Sequence, residues 1–292
     1  MKKIRMMLFS VLSAVMVAGA GCCCNNARCG SDEPKISVFA SFVRAVARER
    51  GITLAEAADL LYGLGVRGFD CGPFEKDVSE LAATKLKPIN FYFFPRMFSA
   101  DKGAADVKNC FEQAEKLSVP RIMLVPVNFT KDGDEAAEFE KILVWTRKFV
   151  ADAKSRGITV TVEDFGGTRN CCSHIKYLKR FLDEIPDVRL ALDSGNLYYA
   201  GRGEDILELM KYAKGRIAHV HLKDQTAENG RKYATLGLGA VPNEEIVKAV
   251  AASGYDGWYT LENPVGDTYN DTVRQVALVK CWISEAEKRD CR

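Results

Sequence analysis

The sequence predicts an α/β fold, a (β/α)8 TIM barrel with a parallel eight-stranded barrel inside and helices outside. Short apolar runs, typical of buried parallel strands, recur at regular intervals along the chain. Amphipathic stretches, in which apolar residues recur three and four positions apart as in helices, separate these runs. Eight such units in about 260 residues match the usual size of this barrel.

The predicted strands, in chain order, are KISVFA, GVRGFDC, PINFYFF, RIMLVPV, ITVTVE, VRLALD, RIAHVH and GWYTLE. Helical periodicity is clearest in TLAEAADLLYGLG, DVKNCFEQAEKLS, EFEKILVWTRKFVADAKSRG and EDILELMKYAKG. The rival fold is an open doubly wound sheet, which normally has a Gly-rich phosphate-binding loop after its first strand. Here SFVRAVARERG follows the first strand, so the closed barrel is favoured.

The overall composition is that of an ordinary globular protein. The chain is 47% hydrophobic and 27% charged, with a formal net charge of +2. A near-neutral balance gives no electrostatic reason to expect a polyanion, so no nucleic-acid partner is predicted.

The N-terminus has the pattern of a targeting segment, and residues 1–21 are predicted to be a signal peptide. MKKIR supplies the positive charge, MMLFSVLSAVMVAGAG the apolar stretch, and small residues close it. Two cleavage sites compete. Ala18-Gly19-Ala20 suits an ordinary signal peptidase, whereas Gly19-Ala20-Gly21 before Cys22 resembles a lipoprotein site, although it lacks the usual leucine. An uncleaved membrane anchor is the third interpretation.

Residues 22–34 are predicted to form a tether and residues 35–292 the barrel. We expect an exported protein of a bacterium, either periplasmic or held at the membrane as a lipoprotein. Membrane contact is expected only through the signal peptide or a lipid anchor. Ten cysteines fit this location, because disulfides persist outside the cytoplasm. CCCNNARC also resembles a metal cluster, but it lacks a second ligand pair at useful spacing.

Four consecutive predicted strands end near an ionisable residue that faces the barrel interior. Because side chains alternate along a strand, Glu163, Asp193, His221 and Glu262 are all directed inward. A TIM barrel carries its chemistry at this carboxyl end. Three buried carboxylates cost several kcal/mol each unless they are compensated. With one imidazole they form a donor set for one divalent ion, Mn²⁺, Mg²⁺ or Co²⁺, with Zn²⁺ as a further candidate.

The segments VTVEDFGG, LALDSGNLYYAG, IAHVHLKD and YDGWYTLENP, in this order, resemble the xylose isomerase-like TIM barrel family. That family includes sugar and sugar-phosphate isomerases, epimerases and related dehydratases. The resemblance implies a small carbohydrate substrate and a metal held by Glu163, Asp193, His221 and Glu262. The second histidine of HVHLKD is the ligand in the family pattern. His219, one layer deeper, is expected either to orient a ligand or to pack as a core histidine.

The predicted metal ion and carboxylates favour an isomerase or epimerase. In such an enzyme a proton is removed next to a carbonyl, which gives an enediolate. Glu163 and Glu262 are the predicted catalytic carboxylates, one removing the proton and the other returning it. The same intermediate can expel a β-leaving group. The alternative is therefore a lyase or dehydratase acting on a keto-sugar or 3-keto-glycoside. A non-catalytic carbohydrate-binding barrel is the third interpretation, disfavoured because all four ligands are present.

Three positions differ from the ketose 3-epimerases of this family. Arg169 stands where those enzymes have glutamate, Asn196 where they have histidine, and Ala227 where they have arginine. Free-ketose 3-epimerisation in their manner is therefore not expected. Repair endonucleases of the same superfamily need more histidines than the three present here.

The remaining candidates for substrate contact lie at strand ends or in neighbouring loops. They are Lys223, Asn196, Asp70, His219 and Arg231. Arg231 lies in QTAENGRKYATLGLGAVP, the longest insertion near the site, in which Gly237 and Gly239 suit a lid or rim loop. The sequence does not indicate the oligomeric state.

Overall fold

The fold is described from a computed structural model that covers residues 33–230 and 232–290, with side chains to residue 288. The predicted signal peptide and all but the end of the predicted tether lie outside these residues, and so does Arg231. Export, lipidation and a role for Arg231 therefore stay predictions. Within the described ranges, none of the helices combines the length and apolar character needed to cross a membrane.

Eight parallel strands close into a barrel, which confirms the predicted fold. They are β1 (Ile36–Phe39), β2 (Val66–Cys71), β3 (Lys87–Phe93), β4 (Arg121–Leu124), β5 (Thr159–Glu163), β6 (Arg189–Asp193), β7 (Ile217–Leu222) and, later in the chain, β10 (Tyr259–Leu261). The order around the barrel is β1-β10-β7-β6-β5-β4-β3-β2. Strands that follow one another in sequence are thus neighbours, apart from one short insertion.

That insertion forms a small antiparallel pair, β8 (Asp224–Gln225) and β9 (Tyr233–Ala234). The helices are α1 (Ala40–Arg50), α2 (Leu54–Gly63), α3 (Val78–Ala82), α4 (Ala100–Leu117), α5 (Glu135–Ser155), α6 (Ile175–Glu184), α7 (Asn196–Tyr199), α8 (Asp205–Tyr212), α9 (Asn243–Ala252) and α10 (Thr268–Asp290). A short 3₁₀ turn, Cys171–Ser173, precedes α6.

Local sequence signals explain where several helices begin and end. Thr53 and Glu56 form a capping box at the start of α2, each side chain bonding the other's backbone N–H. The Asp134 carboxylate accepts two backbone N–H groups at the start of α5. Gly51 ends α1 in the left-handed conformation, which glycine adopts without steric cost.

The strands divide their side chains between two environments, as period-2 alternation requires. Val160, Val162, Leu190 and Leu192 belong to the large core between strands and helices. A separate cluster, formed by Met123, Val125 and Ala191, lies on the opposite face of the strands, inside the barrel. The predicted inward and outward faces of β5 and β6 agree with this division.

The loop after β7 is organised by one buried carboxylate. Asp224 accepts hydrogen bonds from the backbone N–H groups of Gln225 at 2.8 Å, Gly237 at 2.9 Å, Gly239 at 3.0 Å and Val241 at 3.1 Å. A Cβ on Gly239 would lie 2.1 Å from the Asp224 carboxylate, so only glycine fits there. The loop is therefore a fixed rim built around Asp224.

We predict that Asp224→Ala destabilises the protein by about 3 kcal/mol, because it leaves several buried N–H groups without an acceptor. Urea denaturation measures this loss, and proteolysis should show first cleavage within residues 225–242. The control is Asp187→Ala, which removes a half-exposed carboxylate paired with Lys154 and should cost less than about 1 kcal/mol. Equal losses for the two variants would contradict the organising role.

Candidate metal centre

Adjacent strands bring the four predicted ligands to the carboxyl end of the barrel. Glu163 and Asp193 are the last residues of β5 and β6, and His221 in β7 pairs with Asp193 across the sheet. Glu262 directly follows β10, and its backbone N–H continues the barrel by bonding Leu222. Asp193 and His221 are fully buried and Glu163 nearly so, whereas the Glu262 side chain is 20% exposed. All four line one interior site.

Three of the four side chains form a tight group. Glu163, Asp193 and His221 each offer one ligand atom, and these atoms all lie within 4.8 Å of one another. Glu163 Oε1 lies 2.6 Å from His221 Nδ1. Glu262 reaches the group through Lys223, whose Nζ lies 2.9 Å from Glu262 Oε2 and 2.9 Å from Asp193 Oδ2.

One oxygen of the Asp193 carboxylate is fixed by the backbone. Its Oδ1 accepts the backbone N–H groups of Gly195 and Asn196, each at 2.8 Å. Its own backbone N–H donates to Asp164 Oδ1 at 2.7 Å. Oδ2 is thereby directed into the site, toward Lys223. Burial raises the pKa of Asp193 to about 7, although the Lys223 ammonium opposes the shift.

Asn196, a predicted substrate contact, both joins two loops and lines a cavity. Its side-chain amide donates to the carbonyl of Asp164 at 2.8 Å, so it fastens the loops after β5 and β6 to each other. It also lines a cavity of about 220 Å³ that opens beside the site. The cavity wall is made by Phe165, Gly166, Gly167, Asn196, Tyr199, Lys223, Gln225 and Tyr233.

A chain of hydrogen bonds runs along the barrel axis beneath the site. Arg121 Nη1 lies 3.0 Å from His219 Nδ1, and His219 Nε2 lies 2.9 Å from Asp70 Oδ2. The same Asp70 oxygen lies 3.0 Å from His221 Nε2 and accepts the Asn90 amide at 2.7 Å. Because Arg121 can only donate, His219 must accept at Nδ1 and donate from Nε2.

The protonation directions agree with this pattern. Burial lowers the pKa of His219 to about 4 despite the nearby Asp70 carboxylate, so His219 is neutral at pH 7. Burial disfavours the charge on His221, but Asp70 and Glu163 raise its pKa well above the ordinary value. Asp70 thus holds Nε2 of His221 and turns Nδ1 toward Glu163. Nδ1 is the nitrogen that would bind an ion after it loses its proton.

The Asp70 and His219 side chains are completely buried, and contact with the substrate stays a prediction for both. Their hydrogen-bonding capacity is used within the axial chain, which favours the orienting role that the sequence left open for His219. With His221 they also form a compact trio of ligand atoms within 4.8 Å. The Arg121 guanidinium beside this trio disfavours a second cation there.

Sequence reasoning missed Arg121 and Phe39. Arg121 opens the predicted strand RIMLVPV, and the same alternation that directs Met123 inward also directs Arg121 inward. The alternation in RIMLVPV is therefore enough to predict that the Arg121 side chain is directed into the barrel. Phe39 packs edge-on against the His221 ring, with the ring centres 5.0 Å apart. Nothing in KISVFA distinguishes that ring from a core phenylalanine.

The donor set fits a divalent ion. Three carboxylates and one imidazole provide oxygen and nitrogen ligands, and burial without a cation would be costly. The arrangement of Lys223 supports this fit, since an ammonium already compensates two of the carboxylates. Glu163, Asp193, His221 and Glu262 are the residues that would hold the ion.

The chain resembles several known proteins. An inosose dehydratase of Bacillus anthracis (strain CDC 684 / NRRL 3495) is 27% identical over 163 residues, which are 50% of this chain and 53% of that protein. The chain thus spans about half the length of the curated relatives it matches. Among solved structures, the IOLI protein with a bound zinc atom has a TM-score of 0.68 at 15% identity and covers 86% of this chain and 97% of its own.

An L-ribulose 3-epimerase structure has a TM-score of 0.69 at 16% identity, covering 88% of this chain and 97% of its own. At such low identity these structures support the fold alone. The family description, xylose isomerase-like TIM barrel, matches residues 43–280, most of the chain. Together with the closed eight-stranded barrel, this match shows that the chain belongs to the xylose isomerase-like TIM barrel family.

Proposed function

We propose that the protein is a divalent-metal-dependent enzyme that removes a proton next to a carbonyl of a carbohydrate-type substrate, leading to isomerisation or epimerisation. The observation that carries this proposal is the convergence of Glu163, Asp193 and His221, with Glu262 joined to them through Lys223. A curated relative named above is an inosose dehydratase, which agrees with a carbohydrate-type substrate.

A bound ion would polarise the substrate carbonyl and acidify the adjacent C–H bond. Glu163 and Glu262, on β5 and after β10, approach the site from different sides. Burial opposes ionisation of Glu262, but Lys223 holds its pKa below the ordinary value, so it is a carboxylate at pH 7. One carboxylate removes the proton, and the other returns a proton to the neighbouring carbon or the opposite face.

Dehydration is the second candidate, and the Lys223 ammonium favours it. Its Nζ adjoins both Asp193 and Glu262, and the residue also lines the cavity, so an ammonium that reaches the cavity could donate a proton to a leaving hydroxyl. The curated relatives that share half of the chain are inosose dehydratases. Arg169, Asn196 and Ala227 replace residues of the ketose 3-epimerases, which also argues against that particular reaction.

The decisive measurement is proton exchange in D₂O, with Mn²⁺ added, on inosose, free ketoses and 3-keto-glucosides. We expect carbon-bound deuterium, or loss of water, with at least one of these compounds. Glu163→Gln and Glu262→Gln should each lower the rate at least about 100-fold, since each removes an acid–base group. The control is Glu140→Gln, an exposed residue paired with Arg180. If the metal-loaded protein exchanges no proton with any of these compounds, the non-catalytic carbohydrate-binding barrel is favoured instead.

We predict that His221 is a metal ligand and His219 is not. His221→Ala should lose bound metal and turnover together, because it removes the only imidazole of the proposed donor set. His219→Ala should keep one ion per chain and lower its affinity about 10–100-fold, as expected of a residue that orients a ligand. Metal content by mass spectrometry and activity are measured on both variants. A metal-replete, active His221→Ala protein would contradict the assignment.

We predict that Asp70→Asn lowers metal affinity about 10–100-fold while the barrel stays folded, because a weaker acceptor no longer fixes the His221 ring. Calorimetric titration with Mn²⁺ measures the affinity, and circular dichroism checks the fold. Asp187→Asn, at an exposed ion pair, is the matched control. Unchanged affinity for Asp70→Asn would remove Asp70 from the metal centre.

A further inference from the structure

Lys223 occupies an unusual position for a lysine. Its side chain is only 10% exposed, and its ammonium lies 2.9 Å from Asp193 Oδ2 and 2.9 Å from Glu262 Oε2. The side chain is therefore a buried cation set between two of the four proposed metal ligands.

Simultaneous ligation by all four residues conflicts with this position. Asp193 Oδ1 already accepts two backbone N–H groups, so a metal–oxygen bond of about 2.0–2.6 Å would use Oδ2, which Lys223 now contacts together with Glu262 Oε2. An ammonium and a divalent ion sharing these oxygens would lie within a few ångströms of each other and repel strongly in a buried site. We therefore expect the ammonium to move away from Asp193 and Glu262 when an ion binds.

The surroundings offer one direction for that movement. The lysine stem packs against Gly195 so closely that a Cβ there would lie 2.5 Å from Lys223 Cγ. Beyond the stem, Lys223 also lines the cavity that contains Asn196, Gln225 and Tyr233. Rotation about the outer bonds of the flexible side chain can carry the ammonium from the carboxylates into that cavity, while the Cγ atom stays against Gly195.

We propose that Lys223 is an internal counter-ion that neutralises Asp193 and Glu262 in the metal-free protein, is displaced by the metal, and then presents its ammonium in the adjoining cavity to an electron-rich oxygen of the substrate. This inference rests on the proposed metal-dependent function. The inference adds that metal binding moves Lys223 into the cavity and thereby completes the substrate pocket. Substrate recognition by this lysine is then absent without metal.

Mn²⁺ affinity is the first test. We expect Lys223→Met and Lys223→Gln to bind Mn²⁺ at least about ten-fold more tightly than the wild type, because both remove a competing cation. Lys223→Arg keeps the charge and should not gain affinity. Lys154→Met, at an exposed ion pair with Asp187, should match the wild type. Two neutral variants of different polarity guard against a folding defect in either one.

Chemical reactivity of the amine is the second test. Acetic anhydride labelling, read by peptide mass spectrometry, should modify Lys223 more in the Mn²⁺-loaded wild type than in the metal-free protein. Lys154 provides the internal reference for labelling. Equal labelling of Lys223 in the two states would overturn the displacement.

The two proposals fail in different ways. A wild type that binds neither Mn²⁺ nor Zn²⁺ would overturn the proposed function and this inference with it. If the wild type binds metal and Lys223→Met binds it with equal or lower affinity, this inference alone is overturned. In that case Lys223 would be a permanent part of the site that supports its ligands.

Discussion

The cost of burying charge inside the barrel governs the arrangement of the whole site. Several carboxylates lie within or near the axis, and each would cost several kcal/mol if left uncompensated. A basic side chain lies beside four of them, whereas Asp164 Oδ1 accepts a backbone N–H instead. Asp70 faces two histidines, Glu163 faces His221, and Asp193 and Glu262 share Lys223. Acids and bases thus alternate from the floor of the barrel to its mouth.

This alternation explains why the site is rigid where it needs to be. Asp70 accepts from Asn90 and from both histidines, so the His221 ring has one orientation. Asp193 is fixed by two backbone N–H groups at the start of α7. Fixed ligands lower the cost of ordering a site when an ion binds. The Lys223 ammonium, on a long and flexible side chain, adjoins a cavity into which it could move.

The sequence predicted the fold and the inward direction of the ligands because both depend on local geometry. Strand alternation is a property of the backbone, so Glu163 and Asp193 could be assigned to the interior before any contact was known. The pairings between side chains could not be predicted in that way. Asp70 and His219 lie 149 positions apart, and their contact depends on the stagger of strands around the closed barrel. The short β8–β9 pair was also not predicted, since two-residue strands carry no periodicity.

The choice between epimerisation and dehydration is finally a question of where the second proton goes. Returning it to carbon needs a carboxylic acid facing the substrate from the side opposite the base, a role open to Glu163 or Glu262. Expelling a hydroxyl needs an acid close to the departing oxygen instead. Lys223 contacts the proposed ligands Asp193 and Glu262 and also lines the cavity. An ammonium displaced into that cavity would supply a proton to an oxygen more readily than to carbon, because oxygen lone pairs are its natural hydrogen-bond partners. On this reasoning, a Lys223 ammonium displaced into the cavity would favour dehydration, the second candidate, over return of the proton to carbon.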